Sequence, residues 1–343
     1  MSKITLKDLA KMLKMSISTV SKGLNDSYEI SEATKKKIRQ LAEKHNYQPN
    51  LFAKNLKIGK TNTIGIIIPF MANPVQSQIL EGAHKAALEN NYHIVFMQSR
   101  DNNIIEKSCI EFLINQNVDG IMISPASQES NVEYIKHVHE NITPIILFDR
   151  VEYPLETHKV GVNSFVGTYN ATKHLLEIGR KRIAVLCGKN LGVTSERLNG
   201  YLKALEDNSI SIDQDLIIYC DYNKTKEQMD YELKKELMKL MKQENAPDAI
   251  LGTTDTLTTR VLGILSETKY SVPEDLAVIG FANTELAQSL NPSLSTIKQP
   301  AFDIGYIATN KLIRLSNEKD RSDFPYESIL LETTIQLRNS TKI

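Results

Sequence analysis

The residues best placed to do chemistry are the positively charged side chains at the start of the chain. The first sixty positions hold thirteen Lys and Arg residues against five Asp and Glu residues. Because the whole chain is neutral, the rest must carry a matching excess of anions. Clustered cations gain affinity for a polyanion, since each phosphate contact releases condensed counterions. A solvated basic surface without a partner would have the same composition, so charge alone does not decide.

A second set of polar side chains lies further along the chain, each soon after an apolar run. Amides, carboxylates and guanidinium groups in such places can hydrogen-bond to a polar ligand. Singly, each also has a structural interpretation: Asp149 and Asp255 could cap helices, and Arg197 could form an ion pair. The convergence of several such groups at one cleft favours ligand binding. The set comprises Asn73, Gln76, Asp149, Arg150, Arg197, Asp255, Asn283 and Gln299.

The sequence offers no pattern typical of catalysis or cofactor binding. The first apolar run, residues 64–68, leads into neither a glycine-rich phosphate loop nor a Walker lysine, so no nucleotide cofactor is expected. His137 and His139 are two positions apart, which places them on different faces of a helix. We therefore expect no enzyme activity, no cofactor and no metal. Three cysteines without metal-ligand spacing are expected to be buried thiols in a reducing cytosol: Cys109, Cys187 and Cys220.

Two short helical patterns position the first basic residues. Thr5 and Asp8 have the spacing of a capping box for a first helix, and Ser16 is placed to cap a second. In the second helix Val20 and Leu24 face inward. Four residues of that helix are then expected to point outward: Ile17, Ser18, Ser21 and Lys22.

A third helical pattern starts near Ser31 and closes a small core with Ile38, Leu41 and Ala42. Its basic residues are expected to stay in solvent. Two short helices joined by a tight turn and clamped by a third predict a helix-turn-helix unit, whose second helix can lie in the major groove of DNA. The solvent-exposed basic residues are Lys35, Lys36, Lys37 and Arg39.

Beyond residue 61 apolar runs alternate with amphipathic stretches, which predicts buried parallel strands separated by helices. Two such sets predict two lobes, each a doubly wound parallel α/β sheet, with the chain returning to the first lobe after residues 295–297. Facing sheets of this kind bind ligands in the cleft at the carboxyl ends of their strands. The predicted strands are residues 64–68, 93–97, 120–123, 144–148, 182–186, 216–219, 249–251 and 276–280.

Four segments together resemble the lactose-repressor (LacI/GalR) family of bacterial transcription regulators. The resemblance is colinear and covers essentially the whole chain. It implies an α/β protein with an N-terminal three-helix helix-turn-helix domain, a hinge helix and a two-lobed core like that of periplasmic sugar-binding proteins. The segments are Ile4–Ala10, Met15–Asn25, Ile30–Thr34 and Asn46–Asn50.

The resemblance implies three domains. Residues 1–48 would form the DNA-binding domain, 49–61 the hinge helix and linker, and 62–343 the effector-binding and dimerisation core. Within the core, the first lobe would comprise residues of about 62–161 and 298–320. The second lobe would comprise about 162–292 and 325–343.

On the same resemblance, Ile17, Ser18 and Lys22 read base edges, although Ile17 could instead pack within the DNA-binding domain. Leu56 stands where the family's leucine wedges into the minor groove, unless its helix is an ordinary stub packed on the core. Lys54 stands where Arg is frequent. The expected backbone-anchoring or capping residues are Thr5, Ser16, Thr19, Ser21 and Asn25, and the expected hinge residues are Asn50, Ala53, Lys54 and Leu56.

The resemblance also assigns effector contacts, some of which depart from the family's usual residues. Thr254 stands where Asn is usual and Ala282 where an Asp commonly grips sugar hydroxyls, while Val75 and Gln76 replace a frequent aromatic pair. The loss of one carboxylate beside the retained arginines favours an acidic sugar as the effector. The family positions that contact the effector or line its cleft are Asp149, Arg197, Thr254, Ala282 and Gln299.

These observations predict a sequence-specific transcriptional regulator, most simply a repressor, controlled by a sugar or sugar derivative. Its partners would be a pseudo-palindromic double-stranded DNA operator, the effector and a second copy of the chain. The alternative is a periplasmic-type solute-binding protein, which would need a signal peptide. Met1–Lys3 runs directly into a capped helix and no run has the length of a membrane span, so we expect a cytoplasmic protein with no membrane partner.

Overall fold

The computed structural model describes residues 4–47, 60–189, 192–222, 224–318, 321 and 325–342. The chain divides into two compact units, Met1–Thr61 and Asn62–Ile343. The expected hinge residues Asn50, Ala53, Lys54 and Leu56 lie outside the described residues.

In residues 4–47, the N-terminal unit contains the three predicted helices, α1 (Leu6–Leu13), α2 (Ile17–Leu24) and α3 (Glu32–Lys44). Thr5 forms the predicted capping box: its backbone N–H donates to Asp8 Oδ2 at 2.9 Å, and Asp8 N–H donates to Thr5 Oγ1 at 3.3 Å. Ser16 caps α2 by accepting a hydrogen bond from Thr19 N–H at 3.0 Å. A small apolar core of Leu9, Val20 and Ile38 holds the helices together.

Lys35 is buried, so the prediction that it points into solvent is wrong. Its ammonium lies 3.0 Å from Asp26 Oδ1 and 2.7 Å from Glu32 Oε1. Hydrogen bonds to these two carboxylates raise the pKa of Lys35 above its ordinary value. A lysine can bury its aliphatic stem against a core while its charge stays paired at the edge, and sequence periodicity alone does not reveal such a partner.

Helices and parallel strands alternate through the second unit. In its described part the helices are α4 (Pro74–Glu89), α5 (Asn103–Asn115), α6 (Val132–Asn141), α7 (Ser164–Glu177), α8 (Gly192–Asp207), α9 (Lys226–Leu240), α10 (Asp255–Ser266) and α11 (Ala301–Asn317). No helix among the described residues has both the length and the apolar character needed to cross a membrane.

The strands of the described residues form two six-stranded sheets. In chain order they are β1 (Thr63–Ile68), β2 (His93–Gln98), β3 (Gly120–Ile123), β4 (Ile145–Phe148), β5 (Lys159–Val162), β6 (Ile183–Gly188), β7 (Ile217–Cys220), β8 (Ala249–Gly252), β9 (Ala277–Phe281), β10 (Ser295–Lys298), β11 (Ser328–Leu331) and β12 (Thr334–Gln336). The first sheet has the order β11-β5-β4-β3-β1-β2 and is parallel throughout. The second has the order β12-β10-β9-β8-β6-β7, and only β12 runs antiparallel to its neighbour. Each sheet with its helices is one lobe, as predicted.

The chain crosses between the lobes three times, after β5, after β10 and after β11. Residues 325–331 were predicted to belong to the second lobe, but that prediction is wrong: β11 pairs with β5 of the first sheet, with Ile329 opposite Val160. The last crossing therefore falls between Leu331 and Thr334. A short apolar run shows that a strand forms but not which sheet edge receives it, which explains the difference.

Two strands predicted as buried are edge strands instead. Phe96 of β2 is 48% exposed and Tyr219 of β7 is 51% exposed, because β2 and β7 each end a sheet. The strands β5, β10, β11 and β12 were not predicted as strands, since they are only three or four residues long and carry polar residues. An apolar run indicates that a segment forms a strand but not whether the strand lies at the edge or in the middle of a sheet, which is why β2 and β7 were predicted as buried.

Glycines allow two helices of the first lobe to cross with their backbones in contact. A Cβ at Gly82 of α4 would lie 1.9 Å from the carbonyl oxygen of Phe302 in α11. A Cβ at Gly305 of α11 would lie 1.9 Å from the carbonyl oxygen of Ile79. Only glycine permits so close an approach, and the two helices are therefore held in one relative position.

Side chains around this crossing reinforce it. Phe302 and Tyr306 of α11 stack with their ring centroids 6.4 Å apart, and the Lys85 ammonium lies 5.8 Å and 5.7 Å from the two centroids. Tyr306 donates a hydrogen bond to Glu89 Oε2 at 2.7 Å. Such contacts between a cation and an aromatic ring add to the packing of the two helices.

The second lobe repeats this arrangement between α7 and α8. A Cβ at Gly200 of α8 would lie 2.3 Å from the carbonyl oxygen of Phe165 in α7. Phe165 and Tyr169 stack with centroids 6.2 Å apart, and Tyr169 donates to Asp207 Oδ2 at 3.1 Å. Lys203 and Asp207 are in an ion pair at 2.8 Å.

The stability of the core is expected to fall as the pH drops from about 6.5 towards 4, because of the buried His139. Its Nδ1 accepts a hydrogen bond from Ile145 N–H at 2.9 Å, so its Nε2–H donates to the Tyr326 hydroxyl at 3.1 Å. Burial lowers the pKa of His139 from 6.5 to about 4. In this range the unfolded chain binds a proton at His139 that the folded chain does not bind. The free energy of unfolding therefore falls by up to about 3 kcal/mol.

Urea unfolding measured between pH 4 and pH 8 checks this expectation. His139→Gln should flatten the pH dependence, whereas His137→Gln, an exposed residue of the same helix, should leave it unchanged. An equally steep dependence in His139→Gln would assign the effect to another group.

Candidate DNA-reading surface and ligand cavity

One face of α2 is open to solvent. Ile17 is 47% exposed, and Ser18 and Lys22 are also exposed, while Thr19 and Ser21 are partly covered. All three residues predicted to read bases therefore lie on an accessible helical face. Ile17 offers an apolar surface, which suits a thymine methyl group. Ser18 offers a hydroxyl, which can hydrogen-bond to a donor or an acceptor on a base edge, and Lys22 offers a cation, which suits guanine.

The residues expected to anchor the DNA backbone or cap the helices lie at helix ends and within α2. Thr5 and Ser16 are N-caps of α1 and α2, and Asn25 follows α2, where its side-chain Nδ2 donates to Ser21 O at 2.9 Å. The Lys22 ammonium is in a close ion pair with Glu29 on the surface of the N-terminal unit. A phosphate or base that binds Lys22 must therefore compete with Glu29.

A cavity of about 760 Å³ lies between the two lobes, at the carboxyl ends of the strands. It is large enough for a small-molecule ligand. Eight of the nine predicted effector residues line it: Asn73, Gln76, Asp149, Arg150, Arg197, Thr254, Asp255 and Gln299.

Arg197 is a buried cation at the wall of this cavity. It is 4% exposed, and its guanidinium lies 3.6 Å from the centroid of the Phe281 ring. It donates to Thr253 O at 2.5 Å, and more weakly to Ser164 Oγ at 3.3 Å and Gln299 Oε1 at 3.4 Å. It has no ion pair in the described part of the chain. Burial lowers its pKa to about 10, so Arg197 is charged at neutral pH and can donate further hydrogen bonds to a ligand.

Gln76 and Asp149 form a polar pair on the first-lobe side. Gln76 Nε2 donates to Asp149 Oδ2 at 2.7 Å, and Ser124 Oγ donates to the same oxygen at 3.4 Å. Gln76 Oε1 is buried without a hydrogen-bond partner among the described residues. Asp149 follows β4 with a φ of 62°, and no helix follows it directly, so it does not serve as a helix cap. A buried unpaired acceptor normally costs stability, and a ligand or water donor would satisfy it.

The second-lobe side combines a helix start with a buried carboxylate. Thr254 is the N-cap of α10, and its Oγ1 accepts from Leu257 N–H at 3.3 Å. Asp255, the first residue of α10, instead accepts from Asn283 N–H through Oδ2 at 2.6 Å. Burial raises the pKa of Asp255 above its ordinary value. Asp255 therefore does not cap the helix, as its alternative interpretation had it, because Thr254 is the N-cap of α10.

Arg150 lines the cavity, but its guanidinium is already bound to other residues of the first lobe. It lies in an ion pair with Asp101 at 2.6 Å, and its Nη1 also donates to Pro125 O at 2.8 Å and Ala126 O at 3.1 Å. These partners fix the loop that follows β3. Arg150 therefore has less capacity left for a ligand than Arg197 has.

Asn283 is the predicted effector residue that does not line the cavity. Its side chain is 3% exposed and hydrogen-bonds to Gln78 and to the backbone of Gln299. Ala282, which the resemblance also placed at the cleft, is buried and likewise absent from the lining. Both residues lie behind the wall, so any effect of Asn283 on a ligand passes through residues that do line it.

Two aromatic residues of the lining, Phe70 and Tyr222, were not predicted from the sequence. Phe70 follows β1, and Tyr222 follows β7 and hydrogen-bonds through its hydroxyl to Thr254 Oγ1. Their signal was present, because both follow predicted strands at the carboxyl end. The absence of the usual aromatic pair at Val75 and Gln76 thus does not leave the cavity without aromatic surface.

The fold and the two candidate sites define a DNA-binding protein with a ligand-binding core, and comparison with known families agrees. Residues 5–50 match the model described as bacterial regulatory proteins, lacI family. Residues 172–341 match the model of a periplasmic binding protein-like domain. The chain therefore carries a lacI-family DNA-binding domain joined to a periplasmic-binding-protein-like core, and its homologues are LacI-type repressors.

Relatives of the same length support this assignment. The ribose operon repressor of Haemophilus influenzae is 27% identical over 339 residues, which cover 98% of each chain. The HTH-type transcriptional repressor CytR of Escherichia coli is 28% identical over 345 residues, covering 98% of this chain and 96% of its own. A solved structure of the lac repressor dimer bound to operator and the anti-inducer ONPF superposes with a TM-score of 0.85 at 24% identity and covers 99% of each chain. At that identity the last similarity establishes the fold.

Proposed function

We propose that this chain is a homodimeric transcriptional repressor whose affinity for its operator changes when a small polar molecule binds between the lobes. The observation that carries the proposal is the presence, in one chain, of an exposed recognition-helix face and an interlobe cavity with a buried Arg197 that forms no ion pair among the described residues. The two sites must influence each other reciprocally if ligand binding alters DNA binding.

On the DNA side, Ile17, Ser18 and Lys22 would contact bases in the major groove of each half-site. The hinge residue Leu56 would enter the minor groove at the operator's centre. Thr5, Ser16, Thr19, Ser21 and Asn25 would anchor the phosphate backbone. Support comes from the accessible face of α2 and from the match to the lacI-family DNA-binding model.

On the ligand side, we infer a sugar or sugar derivative, with a sugar acid favoured. Arg197 provides a cation that forms no ion pair among the described residues, while Ala282 leaves the position of the family's usual carboxylate without one. Phe70 and Tyr222 provide apolar ring surface in the same cavity. The ribose operon repressor among the relatives is named for a sugar, which agrees with this class.

The homodimer would use the open edge of the first lobe. Apolar side chains are exposed on the edge strand β2 and on both helices that flank it: Leu88, Phe96, Ile104, Ile105 and Phe112. Exposed apolar groups concentrated at one edge are typical of an interface between protein chains. A dimer would also match the two-fold symmetry of a pseudo-palindromic operator.

The protein acts by binding and has no catalytic activity, since its relatives are regulators and the cavity's polar groups serve hydrogen bonding. It works in the cytoplasm, where bacterial DNA is found. A periplasmic-type solute-binding role, the alternative, is disfavoured by the DNA-binding domain.

Thermal unfolding of the purified full-length protein tests the ligand side. The panel would contain ribose, cellobiose, gluconate, glucose 6-phosphate, adenine and uracil. A compound that binds only the folded protein raises the melting temperature by mass action. Selection of bound sequences from random DNA, with and without that compound, tests the DNA side. Enrichment of no motif would contradict the proposed function.

Lys22→Ala is expected to relax base preference at one position of each half-site, by about tenfold to a hundredfold, because a bidentate base contact contributes about 1–3 kcal/mol of discrimination. The measurement is the same selection repeated with the variant. Lys36→Ala, an exposed lysine of α3, is the control and should keep the motif. An unchanged motif in Lys22→Ala would rule out direct readout by this residue.

A further inference from the structure

Asn283 and Gln78 join the two lobes directly. Asn283 Nδ2 donates to Gln78 Oε1 at 2.8 Å, and Gln78 Nε2 donates to Asn283 O at 3.1 Å. Gln78 belongs to α4 of the first lobe, whereas Asn283 follows β9 of the second. The result is a closed pair of hydrogen bonds across the interlobe boundary, with Asn283 shielded from water.

The same asparagine also holds two residues that line the cavity. Its Nδ2 donates to Gln299 O at 2.8 Å, and its Oδ1 accepts from Gln299 N–H at 2.9 Å. Its own N–H donates to Asp255 Oδ2 at 2.6 Å. Asp255 and Gln299 face the cavity from the second lobe and from the second crossing segment, respectively. One buried side chain thus connects the cavity wall to a helix of the opposite lobe.

We propose that Gln78 and Asn283 form an interlobe latch that sets the width of the cavity and positions Asp255 and Gln299 for the effector. This rests on the proposed function in one respect, that the cavity receives an effector. A cavity that is already in its binding geometry gains affinity, because binding does not first have to order the two walls. Asn283 is then a positioning residue that acts without touching the ligand.

Hydrogen exchange of the ligand-free, full-length protein tests the latch without any knowledge of the effector. Gln78→Ala removes both interlobe hydrogen bonds and places a good helix former in α4. Loss of about one net hydrogen bond should speed exchange of the Asn283 and Gln299 amides about threefold to tenfold. Glu81→Ala, an exposed residue one turn along α4, is the matched control and should change neither amide.

The second measurement uses the panel compound that raises the melting temperature. Its dissociation constant should rise about threefold to tenfold in Gln78→Ala, with little change in melting temperature. Because most of the latch runs through one side chain, Gln78→Ala should add little further loss in an Asn283→Ala background. Wild-type exchange rates and wild-type affinity in Gln78→Ala would overturn the latch. Faster exchange together with a silent panel would support the latch and count against the proposed effector.

Discussion

Arg197→Ala is expected to lower the affinity for the effector at least about a hundredfold while the core remains folded. Arg197 lies at the cavity wall with a charge that no carboxylate of the described residues neutralises in an ion pair, and only some of its N–H groups are engaged. Hydrogen bonds to a charged group contribute about 1.5–3 kcal/mol each, so two of them account for this loss. We expect the core to tolerate the change, because the space that Arg197 vacates adjoins the cavity and can fill with water that donates to Thr253 O.

Isothermal titration with the compound identified by thermal unfolding measures the effect. Arg197→Lys is the informative control, since it keeps the charge but loses the planar fork of donors. An intermediate affinity in Arg197→Lys would show that geometry and charge both contribute. Unchanged affinity in Arg197→Ala, with the melting temperature preserved, would move the effector site away from this wall.

Gly82→Ala is expected to destabilise the core by about 3 kcal/mol or more. The new methyl group would lie 1.9 Å from Phe302 O and 3.0 Å from Tyr306 N. Both atoms belong to a helix backbone and cannot move aside as a side chain would. The two helices would have to separate, which would loosen the packing of α11 on the first sheet.

Gly263→Ala is the matched control for this substitution. Gly263 lies within α10, and a Cβ there would meet nothing within 4 Å. Alanine in an open helical position should raise stability by about 0.5–1 kcal/mol, because it restricts the unfolded chain. Chemical unfolding of both variants gives the comparison. Equal stabilities would mean that the helix crossing accommodates a methyl group and is looser than described.

The sequence predicted the fold well where a residue's role depends on its neighbours in the chain. The caps at Thr5 and Ser16 and the buried central strands follow from short-range spacing and apolar runs. Edge strands were less predictable, because position in a sheet depends on pairing between distant segments. For the same reason β11 was assigned to the wrong lobe.

The sequence predicted where the ligand cavity lies better than it predicted which side chains line it. Polar residues after parallel strands converge by topology, which located most of the lining. Whether a given side chain faces the cavity depends on partners far along the chain, as Asn283 shows with Gln78 and Arg150 with Asp101. Tyr222 was not predicted, because an aromatic residue after a strand is as often a core residue as a ligand contact.

The repeated helix crossing has a consequence for the origin of the core. Gly82, Lys85 and Glu89 in α4 have the same spacing as Gly200, Lys203 and Asp207 in α8. The stacked aromatic pairs, Phe302 with Tyr306 and Phe165 with Tyr169, repeat as well, but α11 follows its partner α4 in the chain whereas α7 precedes its partner α8. A half-length ancestor that was duplicated, with its closing helix left at the far end of the chain, would produce this order.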